Sequence, residues 1–147
     1  MIVYSDTSAL VKALLLEIDT ERVRSWFGRA EQVASSVITY AEACAALARR
    51  DRLHGPDSAA LRAQVATLDA NWSEFIVIPV DEHAAGRAAL AHGLRGMDAV
   101  QLSAALGLRA FVTEYAPDAR VAFAAFDREL LEAAKREGFA TLDPTLD

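Results

Sequence analysis

Short apolar runs alternate along the chain with longer segments whose apolar positions recur at helical spacing. Strands are predicted at 1–5, 33–38, 75–78 and 121–126, with 139–142 as a further candidate. Helices are predicted at 7–17, 19–29, 40–53, 57–72, 81–94, 98–108 and 127–137. The segment 109–120 is ambiguous, because 111–113 has the composition of a strand and 117–118 that of a turn.

This alternation predicts an α/β fold with a parallel central sheet of four to five short strands flanked by helices, joined by right-handed crossovers. The length of 147 residues favours a single domain over 1–147. In such sheets ligands bind beyond the carboxyl ends of the strands. Residues at those ends are therefore the first candidates for a functional site.

Composition narrows the class of protein. Hydrophobic residues make up 53% and charged residues 24%, which is typical of a globular protein. No apolar run approaches the roughly 18 residues of a membrane span, and the first residues do not resemble a secretory signal. Cys44 is the only cysteine and has no partner for an internal disulfide. We therefore expect a cytoplasmic protein without membrane association.

The net charge of −6 argues against a protein that coats nucleic acid with a broad basic surface. It leaves open an enzyme that contacts phosphates locally through a bound metal. Arg49, Arg50 and Arg52 form the densest basic run, which we interpret as a solvated helix end. His54, His83 and His92 are scattered and are interpreted as surface residues.

Four acidic residues lie where the predicted sheet would place a ligand. Asp6 and Asp127 follow predicted strands, Glu42 lies in the first helical turn after the second strand, and Asp98 opens a nearly apolar helix. Each has an ordinary structural explanation, because Asp is a favoured helix N-cap and Glu in a first turn suits the helix dipole. If the strands are parallel, however, at least Asp6, Glu42 and Asp127 lie at the same edge of the sheet.

The chemistry around these acids favours a hard cation. Asp98 heads a segment, 99–106, whose only polar residues are Gln101 and Ser103, so its carboxylate must be paired, capped or bound to metal. Asp6 is followed by two hydroxyl residues, and oxygen-only ligands suit Mg²⁺ or Mn²⁺. Converging carboxylates repel unless a cation neutralises them, and such a cation activates water for hydrolysis.

Four segments that contain these acids resemble, in order, the motifs of PIN domains, particularly VapC-like toxins of type II toxin–antitoxin systems: 6–12, 36–42, 94–102 and 126–130. The resemblance implies a PIN-like three-layer sandwich and a metal-dependent endoribonuclease that hydrolyses RNA with metal-activated water. It also implies a homodimer, silenced by a VapB-like antitoxin whose tail obstructs the site.

The same resemblance assigns roles to individual residues. It implies that Asp6, Glu42, Asp98 and Asp127 hold Mg²⁺ or Mn²⁺ and are the catalytic set. Ser8 is implied to order the first carboxylate and its waters, and Arg95 lies where a basic residue contacts RNA.

The chain departs from the family pattern at two positions near these motifs. Ala125 stands where many relatives have Thr or Ser, which raises the question of what Asp127 does. Gln101 stands where His is common, and no function is attached to it. A catalytically weak or inactive PIN-like module that binds RNA or a partner is therefore the alternative.

A phosphoacceptor receiver or a dehalogenase-like phosphatase fits the sequence less well. The dehalogenase pattern needs a second Asp where Ser8 stands, and the receiver needs a Lys at a late strand end, whereas Lys12 and Lys135 both lie on predicted helices. The apolar segments 14–16 and 43–48 either pack in the core or leave a surface for an antitoxin or a second subunit. Both readings stay open from composition, and the resemblance favours the second.

Overall fold

The protein is described by a computed structural model over residues 1–143, so the last four residues of the predicted domain 1–147 lie outside the described residues. Its centre is a five-stranded parallel sheet in the order β3-β2-β1-β4-β5. The strands are β1 Ile2–Ser5, β2 Gln32–Ser36, β3 Ile76–Ile78, β4 Val121–Ala124 and β5 Ala140–Leu142. The predicted parallel α/β architecture is confirmed.

Seven helices cover the sheet in the described part of the chain. They are α1 Thr7–Leu14, α2 Thr20–Arg29, α3 Ile38–Leu53, α4 Ser58–Trp72, α5 Glu82–His92, α6 Gly96–Tyr115 and α7 Arg128–Arg136. None of the helices within residues 1–143 is long and apolar enough to cross a lipid bilayer.

The two faces of the sheet are buried by different helices, because side chains alternate along a strand. On β1, Val3 packs with α1 and α2, whereas the next residue, Tyr4, packs with α5, α6 and α7. The Tyr4 ring stacks on Phe123 of β4 with their centroids 5.3 Å apart. Helices α1, α3 and α4 form a further apolar cluster around Leu10 and Leu47. The result is a three-layer sandwich.

Several boundaries differ from the sequence prediction, three of them in α3 and α6. The segment 111–113 is helical, because α6 continues to Tyr115 with Val112 buried and Phe111 exposed. Helix α6 begins at Gly96 after the N-cap residue Arg95, so Asp98 lies in its first turn and does not open it. Helix α3 begins at Ile38, which moves Glu42 out of the first turn into the second.

The apolar segments 14–16 and 43–48 pack mainly in the core. Leu14, Leu15, Ala43 and Leu47 are all buried. Leu16 has 88% of its surface exposed and lies in the loop between α1 and α2, and the small side chain of Ala45 is exposed on α3. These segments therefore provide little free apolar surface apart from that loop.

Candidate active site

The carboxyl ends of β1 and β4 lie side by side and bring the first and last acids to one edge. The two strands pair in parallel, and the Asp6 backbone N–H donates to the Ala124 carbonyl at 3.0 Å. Asp6 and Asp127 each cap the helix that follows, since Asp6 Oδ1 accepts from Ala9 N at 2.9 Å and Asp127 Oδ1 from Leu130 N at 2.8 Å. Both acids are thus N-caps, as their sequence contexts suggested, and both also line the groove described below.

Asp6 is the most buried of the four acids, with 5% of its surface exposed. Burial raises its pKa to about 7, the nearby Asp98 adds to the rise, and hydrogen bonds from Ala9 and Ser8 oppose it. The Ser8 hydroxyl lies 2.8 Å from both carboxylate oxygens. The same hydroxyl accepts from Phe126 N at 2.9 Å, so Ser8 ties the first acid to the end of β4.

Ala125 does not leave a gap in the wall of this site. It is fully buried, and its methyl group packs in the apolar cluster shared with α6 and α7. The hydroxyl that bridges the two strand ends comes from Ser8 on α1. The departure from the family pattern therefore lies in the core behind the site.

Glu42 is held by a network of buried polar groups. Its Oε1 accepts from the Thr7 hydroxyl at 2.6 Å and lies 3.3 Å from Gln101 Nε2. Gln101 Nε2 also lies 3.0 Å from the Thr39 hydroxyl, and Gln101 Oε1 accepts from the Tyr4 hydroxyl at 2.7 Å. The sequence prediction attached no function to Gln101, and its polarity within an apolar helix is the signal that points to this role.

Asp98 is partly buried, with 28% of its side chain exposed. Partial burial raises its pKa, Asp127 and Glu42 raise it further, and Arg95 opposes the rise. Arg95 Nε is 4.0 Å from Asp98 Oδ2, but 83% of the Arg95 side chain is exposed, so this ion pair is weak. The acids are therefore close enough for the charge of one carboxylate to raise the pKa of another.

A single groove of about 930 Å³ is lined by all six residues that the sequence singled out: Asp6, Ser8, Glu42, Arg95, Asp98 and Asp127. Its far end is lined by Lys12, Arg49 and Arg50. Arg49 and Arg50 thus face the groove, which the interpretation of their run as a solvated helix end had missed.

The donor set of the groove fits a hard divalent cation, because it offers carboxylate and hydroxyl oxygens and a field that disfavours further negative charge. Within residues 1–143, no three Asp, Glu, His or Cys side chains are already arranged to hold an ion together. The fit therefore rests on donor chemistry and electrostatics, and closing around an ion requires side-chain movement.

Comparison with known proteins agrees with this architecture. The family model for the PIN domain matches residues 3–135. The chain is 30% identical to ribonuclease VapC45 of Mycobacterium tuberculosis over 154 residues, which cover 99% of this chain and 98% of the relative.

Solved structures share the fold along the whole length. The structure of FitAcB from Neisseria gonorrhoeae is 21% identical, with a TM-score of 0.69 and coverage of 100% of both chains. VapBC2 from Rickettsia felis, bound to a DNA fragment from its promoter, is 14% identical, with a TM-score of 0.62 and coverage of 97% of this chain and 98% of that chain.

Proposed function

The chain belongs to the PIN domain family, and on that premise we propose that it is a metal-dependent endoribonuclease acting as the toxin of a toxin–antitoxin pair. The observation that carries the proposal is the meeting of Asp6, Glu42, Asp98 and Asp127, which come from four separate motifs, in one groove. The similarity to ribonuclease VapC45 supports RNA as the substrate and phosphodiester hydrolysis as the reaction.

Mg²⁺ or Mn²⁺ is the cofactor that we propose, with Asp6, Glu42, Asp98 and Asp127 as the residues that would hold it. When bound, such an ion supplies an activated water and stabilises negative charge on the phosphate. The chain's own residues orient this set. Ser8 holds both oxygens of Asp6 in place.

Three further residues prepare the groove for substrate. Thr7 and Gln101 fix Oε1 of Glu42 and leave its other carboxylate oxygen available. Arg95 lines the groove and is 83% exposed, and its weak ion pair with Asp98 leaves the guanidinium able to meet an incoming phosphate.

We also place this activity in the cytoplasm and propose a homodimer that a VapB-like antitoxin silences. The fold shared with VapBC2 and the four VapC-like motifs support the antitoxin partner. Phe111 and Tyr115 support a subunit contact, because their rings lie 4.7 Å apart while 61% and 66% of their surfaces stay exposed.

The central test compares wild type with Asp98→Asn and Asp6→Asn on a pool of single-stranded RNA. We expect cleavage in Mg²⁺ or Mn²⁺, none in a chelator, and at least about a 100-fold loss in each variant, because even outer residues of metal sites are worth 10- to 100-fold. Asp81→Asn is the matched control, since Asp81 is an exposed N-cap that does not line the groove. Full cleavage by folded Asp98→Asn refutes the proposal.

The open arrangement of the acids favours one second candidate, a PIN-like module that binds RNA or a partner without cutting it. Calorimetric titration with Mn²⁺ separates the two functions. The nuclease binds Mn²⁺ and loses that binding in Asp6→Asn, whereas the module shows no binding and no cleavage of the RNA pool.

A further inference from the structure

We propose that the far end of the groove is a phosphate-binding subsite for single-stranded RNA, and that Glu17 limits its strength. The subsite, here called the basic arm, consists of Lys12, Arg49 and Arg50. The inference rests on the proposed nuclease function and adds where the RNA strand runs once its scissile phosphate lies among the acids.

One face of α3 lines the groove along its length, from the end with the acids to the end with the basic arm. Glu42, Ala46, Arg49 and Leu53 all line the groove and recur at the i, i+4, i+7, i+11 spacing of a helix face. Seven residues separate Glu42 from Arg49, which is roughly 10 Å along the helix axis at 1.5 Å per residue. The charge of the wall therefore changes sign within about the span of a few nucleotides.

Helix α1, which packs against α3, repeats this change of sign. It is capped by Asp6 and carries Lys12 in its last turn, and both side chains line the groove. Six residues separate them, so the charged groups are set apart by roughly 9 Å along the helix. Two neighbouring helices thus place carboxylates at one end and cations at the other.

Glu17 neutralises part of the basic arm. Its carboxylate contacts Lys12 Nζ at 2.8 Å and also pairs with Arg50 Nη1. The hydrogen bond from Lys12 is the main cause that lowers the pKa of Glu17, so this residue is ionised at neutral pH. By contrast, Arg49 is exposed, and no hydrogen bond or ion pair holds it within the described part of the chain.

The occupant that fits this pattern is a polyanion that continues from the acidic end. A chain of net charge −6 repels RNA over most of its surface, so a local group of cations next to the cleavage site is needed to hold the strand. An RNA backbone presents one phosphate among the acids and the next ones to the arm. An acidic protein segment would be repelled by the carboxylates at the other end of the groove.

The test measures binding of a fluorescent single-stranded RNA pool by anisotropy across a salt series, in the Asp98→Asn background. We expect Arg49→Ala to weaken binding and to reduce the slope of log K against log salt by about 0.7, the value for one phosphate contact on a single strand. Glu17→Gln is expected to act in the opposite direction, giving tighter binding and a steeper slope, because it frees Lys12 and Arg50.

Arg62→Ala is the matched control, since Arg62 is an exposed arginine on α4 that does not line the groove. The Glu17 variant is expected to keep its loop, because the Glu17 backbone N–H donates to Thr20 Oγ1 at 3.0 Å independently of the side chain. Circular dichroism checks that the Glu17→Gln variant is folded. The Arg49→Ala variant tests the basic arm independently of any change in the Glu17 loop.

Three results overturn the inference: an unchanged salt slope in Arg49→Ala, weaker binding in folded Glu17→Gln, or equal effects of both changes on poly-glutamate, which would assign the arm to acidic protein segments. Cleavage by wild type is read separately. If Asp98→Asn abolishes cleavage and any of these three results is also found, the nuclease proposal is supported and only the proposal for the basic arm is refuted.

Discussion

Gln101 connects Glu42 to the interior of the protein through groups on three other elements. Its side-chain oxygen accepts from Tyr4 on β1, and its amide nitrogen lies against Thr39 on α3 and Thr7 on α1. Only 3% of its surface is exposed, so the buried hydroxyls of Tyr4 and Thr39 would lose a partner that water cannot replace. Gln101 is therefore a positioning residue, which acts on the site through Glu42.

Replacing Gln101 by Leu tests this role. We expect the free energy of unfolding to fall by about 1–3 kcal/mol, because buried hydroxyls lose their partner. We also expect Mn²⁺ affinity and RNA cleavage to fall by about 10- to 100-fold, as when an outer residue of a metal site is removed. Calorimetry and a cleavage assay measure the two effects.

Ser103→Ala is the control for that change, because Ser103 lies on the same helix and bonds only to the Val100 carbonyl within its own turn. It should leave Mn²⁺ affinity unchanged. If Gln101→Leu is destabilised but binds Mn²⁺ as wild type does, the residue is structural only.

The acids were predictable at the residue scale, whereas their supporting network was not. Asp6 and Asp127 are recognisable because each follows an apolar strand and precedes a helix, which is a local pattern. The partners of Gln101 lie up to 97 positions away in the chain, and no local pattern indicates them. Only the packing of α6 against β1 and α3 brings them together.

At the scale of elements, the same N-cap chemistry serves two different purposes. Asp57 caps α4 by accepting from Ala59 N and Ala60 N at 3.1 Å, and it is exposed and does not line the groove. Asp127 caps α7 in the same way and also lines the groove. The capping hydrogen bond alone therefore does not distinguish a site acid from a simple cap, and the position of the acid at the sheet edge does.

Substitutions at the two caps separate these purposes. We expect Asp57→Ala and Asp127→Ala each to lower stability by about 1 kcal/mol, the usual effect of losing a cap. Asp127→Ser retains a capping oxygen, so its stability should stay near that of wild type while RNA cleavage is lost. Urea unfolding and the cleavage assay check this, and wild-type cleavage by Asp127→Ser would make Asp127 a cap alone.

The errors at this scale came from tertiary packing. The segment 111–113 resembles a strand locally, but it continues α6 because Val112 fits the core one turn beyond Leu108. Likewise, α1 ends at Leu14 although helix formers continue, since Leu15 turns extended and Thr20 Oγ1 donates to its carbonyl at 2.7 Å. Propensity sets the type of an element more firmly than its end.

At the scale of the whole molecule, parallel topology is what makes a site from distant residues. The order β3-β2-β1-β4-β5 places the ends of β1 and β4 next to each other, although more than a hundred residues separate them. Alternation of strands and helices is enough to predict that edge. The basic arm depends instead on how the end of α3 lies against α1 and the Glu17 loop, which no periodicity encodes.

Because acids lie close together at that edge, the folding stability of the protein is expected to depend on pH and on bound metal. Burial raises the pKa of Asp6 to about 7 in the folded protein, against 3.8 for an exposed Asp side chain, so folding favours its protonated form. The resulting stability is fully present below pH 3.8 and is lost as the pH rises to about 7. The whole effect amounts to about 4 kcal/mol, at 1.36 kcal/mol per pKa unit.

Urea unfolding in a chelator, at a series of pH values from about 4.5 to 7.5, measures this effect as the difference between wild type and Asp6→Asn. The Asn side chain keeps the capping oxygen but does not titrate, so wild type should lose stability relative to the variant as the pH rises. Adding Mn²⁺ at the upper pH should restore wild type and not the variant, because the cation stabilises the ionised carboxylate. Parallel pH curves for the two proteins would show that the charge on Asp6 is already compensated within the fold, and the electrostatic case for a cation at this edge would then be lost.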